Sequence, residues 1–213
     1  AVIIESIQGA SGFIVASNQF LVELNKVCKK YEVLIIFDEI QTCFGRTGTL
    51  FGFEQTNIIP DIICIAKGMG GGMPIGAFIS SWENMNKLTY SPKLGHITTF
   101  GGHPINCAAS KATLKYILEK KLIDHIKFKE KLFRKLLVHT NIRSISGVGL
   151  MLSLNLENKQ QVNTLVENCM KDGLLLFYFL FNDKSIRITP PLTISKEEIK
   201  IGCEIILRNL DKV

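Results

Sequence analysis

Two residues with the chemistry of a reactive site stand at the ends of two short apolar segments. Asp38 ends the apolar part of "VLIIFDE" (33–39), and Lys67 follows "DIICIA" (61–66). If these segments are neighbouring parallel strands, the carboxylate and the amine meet at one sheet edge, where sites form outside the carboxyl ends of strands. A lysine that is desolvated there has a lowered pKa and acts as a nucleophile or base, which suits Schiff-base chemistry with a carbonyl group.

A glycine-rich stretch follows the lysine. Backbone without a Cβ atom can pass close to a flat ring, so this stretch favours a site beside Lys67. Position alone leaves a second interpretation open, in which Lys67 is a charge that merely ends a strand. The glycines within the nine residues after Lys67 are Gly68, Gly70, Gly71, Gly72 and Gly76.

The pair Asp38-Glu39 also supports a different class of function. P-loop ATPases use an acidic strand end of this kind to hold Mg²⁺ and to position water. That function requires the string G-x-x-x-x-G-K-[ST], which does not occur in these residues. A P-loop ATPase therefore remains an alternative only if the phosphate loop lies upstream.

The apolar pattern predicts the elements that carry these residues. A strand, an amphipathic helix capped by Ser17 or Asn18 and a second strand form a βαβ unit with a right-handed crossover. Short, continuously apolar strands are typical of parallel sheets covered on both faces, so the fold class is α/β. The predicted elements here are strands at 1–5, 33–39, 61–66 and 75–81, a long helix over 103–122 and a further helix to about His139.

The sequence changes character beyond this helical stretch. A strand pair around glycines spans 142–156, a helix begins near Lys159, and "SIRIT" (185–189) is a short strand. Ser195 and Glu198 form a capping-box pattern that predicts the start of the last helix. We therefore expect an α/β domain over 1–120 and a smaller α+β domain over 121–213.

Composition excludes several classes of protein. The 213 residues are 46% hydrophobic and carry a net charge of +6 from scattered lysines, so we expect no nucleic-acid partner. No apolar run approaches the roughly 18 residues that span a bilayer. The four histidines and six cysteines form no metal-ligand cluster, and unpaired spacing of the cysteines indicates reduced thiols in the cytoplasm. The chain opens at Ala1 inside a strand, which suggests that an upstream part is missing.

Five segments of the chain form a characteristic series: "AVIIESIQG", "VLIIFDEIQTCFGRTG", "PDIICIAKGMGGGMPIGAF", "HITTFGGHPINCAAS" and "IRITPPLTIS". In their order and spacing they are similar to the class III pyridoxal-phosphate-dependent aminotransferases, which act on substrates such as ornithine, acetylornithine and 4-aminobutyrate. The resemblance implies the type I fold of these enzymes, with a mainly parallel sheet covered by helices on both faces. It also implies a homodimer with sites at the interface, of which this chain is the C-terminal part.

The resemblance also implies a role for individual residues. Lys67 would bind pyridoxal 5'-phosphate covalently and move the proton of the substrate, while Asp38 would pair with the protonated pyridine nitrogen. Gln41 would lie near the phenolic oxygen of the ring. Thr99 would reach the cofactor phosphate from the neighbouring subunit, and Arg187 would bind the substrate carboxylate as a fork.

Three positions depart from the family pattern. Ser6 stands in place of a proline, and Cys43 in place of a glycine, where we expect a modest shift of the loop. Ala10 replaces an acid that can pair with the carboxylate-binding arginine in ornithine-type members, so Arg187 would stay available throughout. Arg46, in "FGRTG", is interpreted as a residue that fixes the loop.

The expected activity is transfer of an amino group from an amino acid to a 2-oxo acid such as 2-oxoglutarate. The donor is expected to be an ω-amino compound of the ornithine or acetylornithine type. An aminomutase of the same fold is an alternative. A non-enzymatic fragment or degenerate homologue is a further one.

Overall fold

Ten strands and six helices make up the chain in the computed structural model, which describes residues 1–213. They fall into two compact units, of which the first comprises 1–6, 17–44 and 49–120 and the second 7–16, 45–48 and 121–213. The strands are β1 (Val2–Ile4), β2 (Ile7–Gln8), β3 (Ile14–Val15), β4 (Ile35–Asp38), β5 (Ile62–Ile65), β6 (Ala77–Ser80), β7 (Ser144–Val148), β8 (Met151–Asn155), β9 (Phe177–Tyr178) and β10 (Ser185–Ile188). The helices are α1 (Asn18–Lys30), α2 (Trp82–Lys87), α3 (Pro104–Glu119), α4 (Ile126–Leu136), α5 (Lys159–Lys171) and α6 (Lys196–Leu210).

The first unit is built on a four-stranded sheet in the order β1-β4-β5-β6. The pairs β1–β4 and β4–β5 are parallel, and β6 runs antiparallel to β5. Ile35 and Phe37, on β4, are almost completely buried, as the apolar run predicts for an inner strand. The α/β class expected from the sequence is thus confirmed, with one antiparallel strand at the edge.

Helix α1 follows the β2–β3 hairpin and leads into β4, and it begins where the sequence predicts. The Ser17 hydroxyl accepts a hydrogen bond from the backbone N–H of Phe20 at 3.2 Å, which caps one of the free donors at the helix start. Leu21 and Cys28 are buried on the apolar face of the helix. The helix therefore packs through its apolar face, and the chain then enters β4, the strand that ends at Asp38.

The second unit holds an antiparallel sheet in the order β7-β8-β10-β9. Leu152 and Leu154 of β8 are fully buried in a core shared with α4, α5 and α6. The capping box of α6 is complete, because Ser195 Oγ accepts from the Glu198 N–H and Glu198 Oε2 accepts from the Ser195 N–H. The apolar run 174–181 forms only the two-residue strand β9.

Two short upstream segments belong to this second unit. The hairpin β2–β3 contributes Phe13, which is buried against Met151 and Phe179. The segment 45–48 contributes Arg46. The predicted boundary near residue 120 would assign both segments to the first domain, whereas the structure places them in the second unit. The roles predicted for the two domains stay predictions. None of the helices combines the length and the apolar character needed to cross a bilayer.

Candidate active site

The parallel pairing of β4 and β5 brings two predicted site residues to one edge of the sheet. Asp38 is the Cα partner of Cys64, and the backbone N–H of the next residue, Glu39, donates to the Cys64 carbonyl at 2.9 Å. Lys67 follows Cys64 by three residues. The carboxyl ends of both strands therefore face the same way, which is where open α/β sheets form their sites.

Lys67 begins a short 3-10 turn, Lys67–Gly70, directly after the strand. Its φ angle is +44°, a left-handed conformation that costs a non-glycine residue energy and is concentrated at functional sites. The side chain is exposed. The expectation of a lysine desolvated by burial at a strand end is therefore wrong for this chain, because Lys67 lies in the turn that leaves β5 and not within the strand itself.

The structure explains why two of the positions after Lys67 are glycine. Gly71 has a φ of +57°, and a Cβ atom there would clash with the Thr113 hydroxyl on α3. Gly72 has a φ of +107°, and a Cβ atom there would meet open space. The stretch is therefore glycine-rich partly because the turn packs closely on a helix, a contact that sequence reasoning did not anticipate.

Asp38 is half-buried and its carboxylate is already oriented. Oδ1 accepts a hydrogen bond from the backbone N–H of Ile40 at 2.9 Å, whereas Oδ2 has no donor in the protein. The carboxylate thus has a fixed direction and one free acceptor. Such a group can hold a protonated ring nitrogen or another cationic donor.

Gln41 and Thr99 lie in the same unit as Asp38 and Lys67. Gln41 is half-buried in the loop after β4, and its side-chain amide makes no hydrogen bond within the protein. Thr99 is exposed within 91–105, a segment exposed over its whole length. Both side chains are therefore free to bind a ligand.

Arg187, on β10, lies in the second unit between two aromatic rings. Its guanidinium carbon is 5.6 Å from the ring centre of Phe13 and 4.7 Å from that of Phe179. Burial lowers the pKa of the guanidinium, and the buried Nε atom has no hydrogen-bond partner. No carboxylate forms an ion pair with it, so Arg187 is an oriented cation without an anion.

The sequence did not indicate which aromatic residues flank Arg187. Phe13 is fully buried and has a φ of +51°, and its ring meets Phe179 edge to face at a centroid distance of 4.7 Å. The two residues are far apart in the chain and share no local pattern. The apolar run 174–181 contains Phe179, but nothing in that run indicates that its ring would lie beside Arg187.

Arg46 fixes the segment that follows Arg187. Its Nη1 donates to the carbonyls of Pro190 at 2.6 Å and Leu150 at 3.1 Å, and the Leu150 N–H donates back to the Arg46 carbonyl at 2.9 Å. Burial lowers the pKa of its guanidinium. This geometry matches the structural role inferred from the sequence.

Two of the departures from the family pattern make contacts close to predicted site residues or their neighbours. Ala10 lies between β2 and β3, and its carbonyl accepts from the Phe181 N–H at 3.0 Å, two residues from the Phe179 ring that flanks Arg187. Cys43 is buried, with its thiol 3.8 Å from the carbonyl of Ala66, the residue before Lys67. Burial raises the pKa of the Cys43 thiol to about 11.

Comparisons with known proteins agree on one family. The family model described as aminotransferase class-III matches residues 1–210. An acetylornithine aminotransferase from Haemophilus ducreyi is 35% identical over the whole chain, which covers 53% of that relative. The chain therefore spans about half the length of the curated relative that it matches.

Solved structures give the same result. The ornithine aminotransferase of Plasmodium yoelii is 33% identical with a TM-score of 0.87, and 99% of this chain covers 56% of it. The ornithine aminotransferase of Toxoplasma gondii is 29% identical with a TM-score of 0.90, covering 99% of this chain and 50% of that one, and has partial occupancy of pyridoxal phosphate at its active site. This chain belongs to the class-III aminotransferases, a family that uses pyridoxal phosphate, and it has their type I fold.

Proposed function

We propose that the full-length protein transfers an amino group from an ω-amino donor of the ornithine or acetylornithine type to a 2-oxo acid such as 2-oxoglutarate. The observation that carries this proposal is the shared sheet edge of Asp38 and Lys67. The family match supports the reaction type and argues against the P-loop ATPase alternative. The relatives named above support the substrate class.

The residues at this edge fit pyridoxal phosphate. The cofactor supplies an aldehyde that takes the amino group and a ring that accepts electrons from the substrate carbon. Lys67 offers an exposed amine, and Asp38 offers one oriented carboxylate oxygen without a protein donor. Lys67 would hold the cofactor through Nζ, and this amine, when free, would carry the proton of the substrate carbon. Asp38 would keep the proton on the ring nitrogen.

Gln41 and Thr99 complete the proposed cofactor contacts. The Gln41 amide would donate to the phenolic oxygen of the ring. The Thr99 hydroxyl would bind the phosphate of the neighbouring subunit's cofactor in a homodimer. The segment 91–105 supports this arrangement because it is exposed throughout and carries Phe100 at 76% exposure, as is typical of an interaction surface.

Arg187 would bind the substrate carboxylate. A guanidinium held between aromatic faces, with no carboxylate partner, is prepared for bidentate recognition of an anion.

Six free cysteines support a reducing, cytoplasmic location for the protein.

The full-length protein can be tested by visible absorption and product analysis. We expect a visible band on addition of pyridoxal phosphate, borohydride labelling on Lys67, and glutamate formed from 2-oxoglutarate with ornithine or N-acetylornithine as donor. Lys67→Ala should lose the band and the activity, whereas the control Lys29→Ala, at an exposed lysine on α1, should keep both. Absence of both the band and glutamate from the unsubstituted protein would overturn the proposal.

A further inference from the structure

Glu39, the residue after Asp38, is a fully buried carboxylate. Its Oε2 atom accepts hydrogen bonds from the Thr42 hydroxyl at 2.5 Å and from the Gly52 N–H at 2.7 Å. Its Oε1 atom accepts from the Phe53 N–H at 2.6 Å. Both oxygens are therefore bound by neutral donors inside the protein, and neither is turned towards a ligand.

These donors come from two separate arms of one loop. The chain leaves the first unit at Gly45 and returns to it at Thr49. Thr42 lies on the arm that leaves, while Gly52 and Phe53 lie on the arm that returns. The carboxylate of Glu39 thus joins the two arms at the base of the loop.

Gly52 is shaped for this contact. A Cβ atom at Gly52 would lie 3.0 Å from Glu39 Oε2 and 2.9 Å from the Thr42 Cβ atom. Any larger residue would push the carboxylate and the returning arm apart. The fit therefore depends on the side chains of Glu39 and Thr42 and on the absence of a side chain at Gly52.

The backbone of Glu39 transmits this arrangement to the sheet edge. Its N–H is bonded to Cys64 on β5, and its carbonyl accepts from the Cys43 N–H at 3.1 Å. Asp38 precedes it directly and Gln41 follows two residues later. A rotation of Glu39 would therefore turn both of these neighbours away from their present directions.

Burying a carboxylate at the base of a loop carries an unfavourable desolvation free energy. Burial raises the pKa of Glu39, and the three hydrogen bonds oppose this shift. An anion without a positively charged partner holds its position only while every donor remains in place. The contacts are accordingly rigid, which suits a group that fixes the direction of others.

We propose that Glu39 is a positioning residue whose carboxylate clamps the two arms of the loop and thereby holds Asp38 and Gln41 in the direction that binds pyridoxal phosphate. This inference rests on the proposed function. Glu39 itself touches neither cofactor nor substrate. Its effect passes through the backbone of 38–41.

The clamp can be broken in the full-length enzyme by Glu39→Gln, which places an amide donor against one of the backbone N–H groups. Thr42→Val removes the hydroxyl that donates to Glu39 Oε2 but keeps both backbone donors, and it provides a milder variant if the first does not fold. Glu54→Gln is the matched control, since Glu54 is an exposed acid beside Phe53. Three quantities are measured: amide hydrogen exchange over 39–53, the Kd for pyridoxal phosphate, and kcat.

We expect Glu39→Gln to speed exchange at Gly52 and Phe53, to weaken cofactor binding and to lower kcat, each of the last two by about 10- to 100-fold, because small misplacements of positioned groups have effects of this size. Thr42→Val should show smaller changes in the same direction. Faster exchange with Kd and kcat equal to those of the control would overturn the inference, as would unchanged exchange. If the unsubstituted enzyme binds the cofactor but does not transaminate, the proposed function fails while exchange and Kd still decide the role of Glu39.

Discussion

Asp38 and Cys64 are Cα partners in the parallel pair β4–β5, and this register determines which side chains reach the sheet edge. A slip of one residue would turn the side chain of Asp38 to the opposite face. Glu39 protects the register through its N–H bond to the Cys64 carbonyl. The proposed chemistry of Lys67 and Asp38 thus depends on backbone pairing as much as on the two side chains.

Arg187→Gln should raise the KM for the 2-oxo acid by about 10- to 100-fold, because hydrogen bonds to a charged group are worth roughly 1.5–3 kcal/mol. Steady-state kinetics of the full-length enzyme would measure this change. Arg187→Lys should recover part of the effect, since an ammonium keeps the charge but not the fork. The control is Arg143→Gln, which breaks an exposed ion pair with Glu157. Equal KM values for Arg187→Gln and this control would contradict the assignment.

Ala10→Glu should lower the affinity for the acid acceptor. The new carboxylate would extend from the hairpin that also carries Phe13, one of the rings beside Arg187, and would compete for its guanidinium. Ala10→Gln has a similar size without the charge and separates competition from crowding. Inhibition constants of a dicarboxylate would be compared between the two variants. Identical constants would show that the charge does not reach Arg187.

Thr99 can be tested by mixing subunits. If Thr99 binds the cofactor of the neighbouring subunit, inactive Lys67→Ala and impaired Thr99→Ala proteins should regain activity when they are unfolded together and refolded, because one site of each mixed dimer would then contain both native residues. Thr98→Ala is the control for the adjacent hydroxyl. Failure of the mixture to exceed the sum of its parts would place Thr99 outside a shared site.

Gly149→Ala should destabilise the protein by about 2–4 kcal/mol, in the range of backbone strain combined with overpacking. Its φ is +65°, and a Cβ atom would lie 2.6 Å from the Arg46 carbonyl oxygen and 2.7 Å from the Thr47 carbonyl carbon. Gly173→Ala shares the positive φ, at +85°, but meets no neighbour within 4 Å, so it should cost only about 1 kcal/mol. Denaturant unfolding monitored by circular dichroism would compare them. Equal losses would exclude the clash as the cause.

Buried thiols should resist alkylation in the folded protein. Burial raises the pKa of Cys43 and Cys169 to about 11 and that of Cys203 to about 12, so roughly a thousandth or less of each is thiolate at pH 8. Exposed Cys107 should react first with iodoacetamide, as peptide mass spectrometry would show. Labelling of Cys43 as fast as that of Cys107 would contradict this order.

The same thiols should affect stability at alkaline pH. Their folded-state pKa values lie above the ordinary value of 9.0, so each thiol favours the folded state below about pH 9. This contribution is lost as the pH rises from about 9 to about 11 for Cys43 and Cys169, and to about 12 for Cys203. Denaturant midpoints measured across that range should therefore fall, and a Cys169→Ala variant should show a smaller fall.

The elements that depend on neighbouring residues were predictable from the sequence. The strand of Phe37, the start of α1 at Ser17 and the capping box of α6 each arise from residues a few positions apart, and all three are present. The exposure of Lys67 was not predictable, because it depends on how the turn after β5 leaves the sheet.

Contacts between distant residues account for most of what the sequence left unknown. Nothing near Arg187 indicated that Phe13 would flank it, and nothing near Glu39 indicated that Gly52 would bind its carboxylate. The close packing of Gly71 on Thr113 was hidden for the same reason. The predicted roles of the site residues rest on family resemblance, and the structure adds their surroundings.

The interleaving of the two units also determines when the second one can finish folding during synthesis. Arg46 finds its acceptors at Leu150 and Pro190, which leave the ribosome 104 and 144 residues later. Phe13 and Phe179, whose rings are in contact, are separated by an even longer stretch of chain. Pairings across such separations are slow, because a long loop must close before any contact rewards it. The second unit therefore reaches its native packing only after Pro190 has emerged, and until then the apolar side chains of its early segments lack their native contacts.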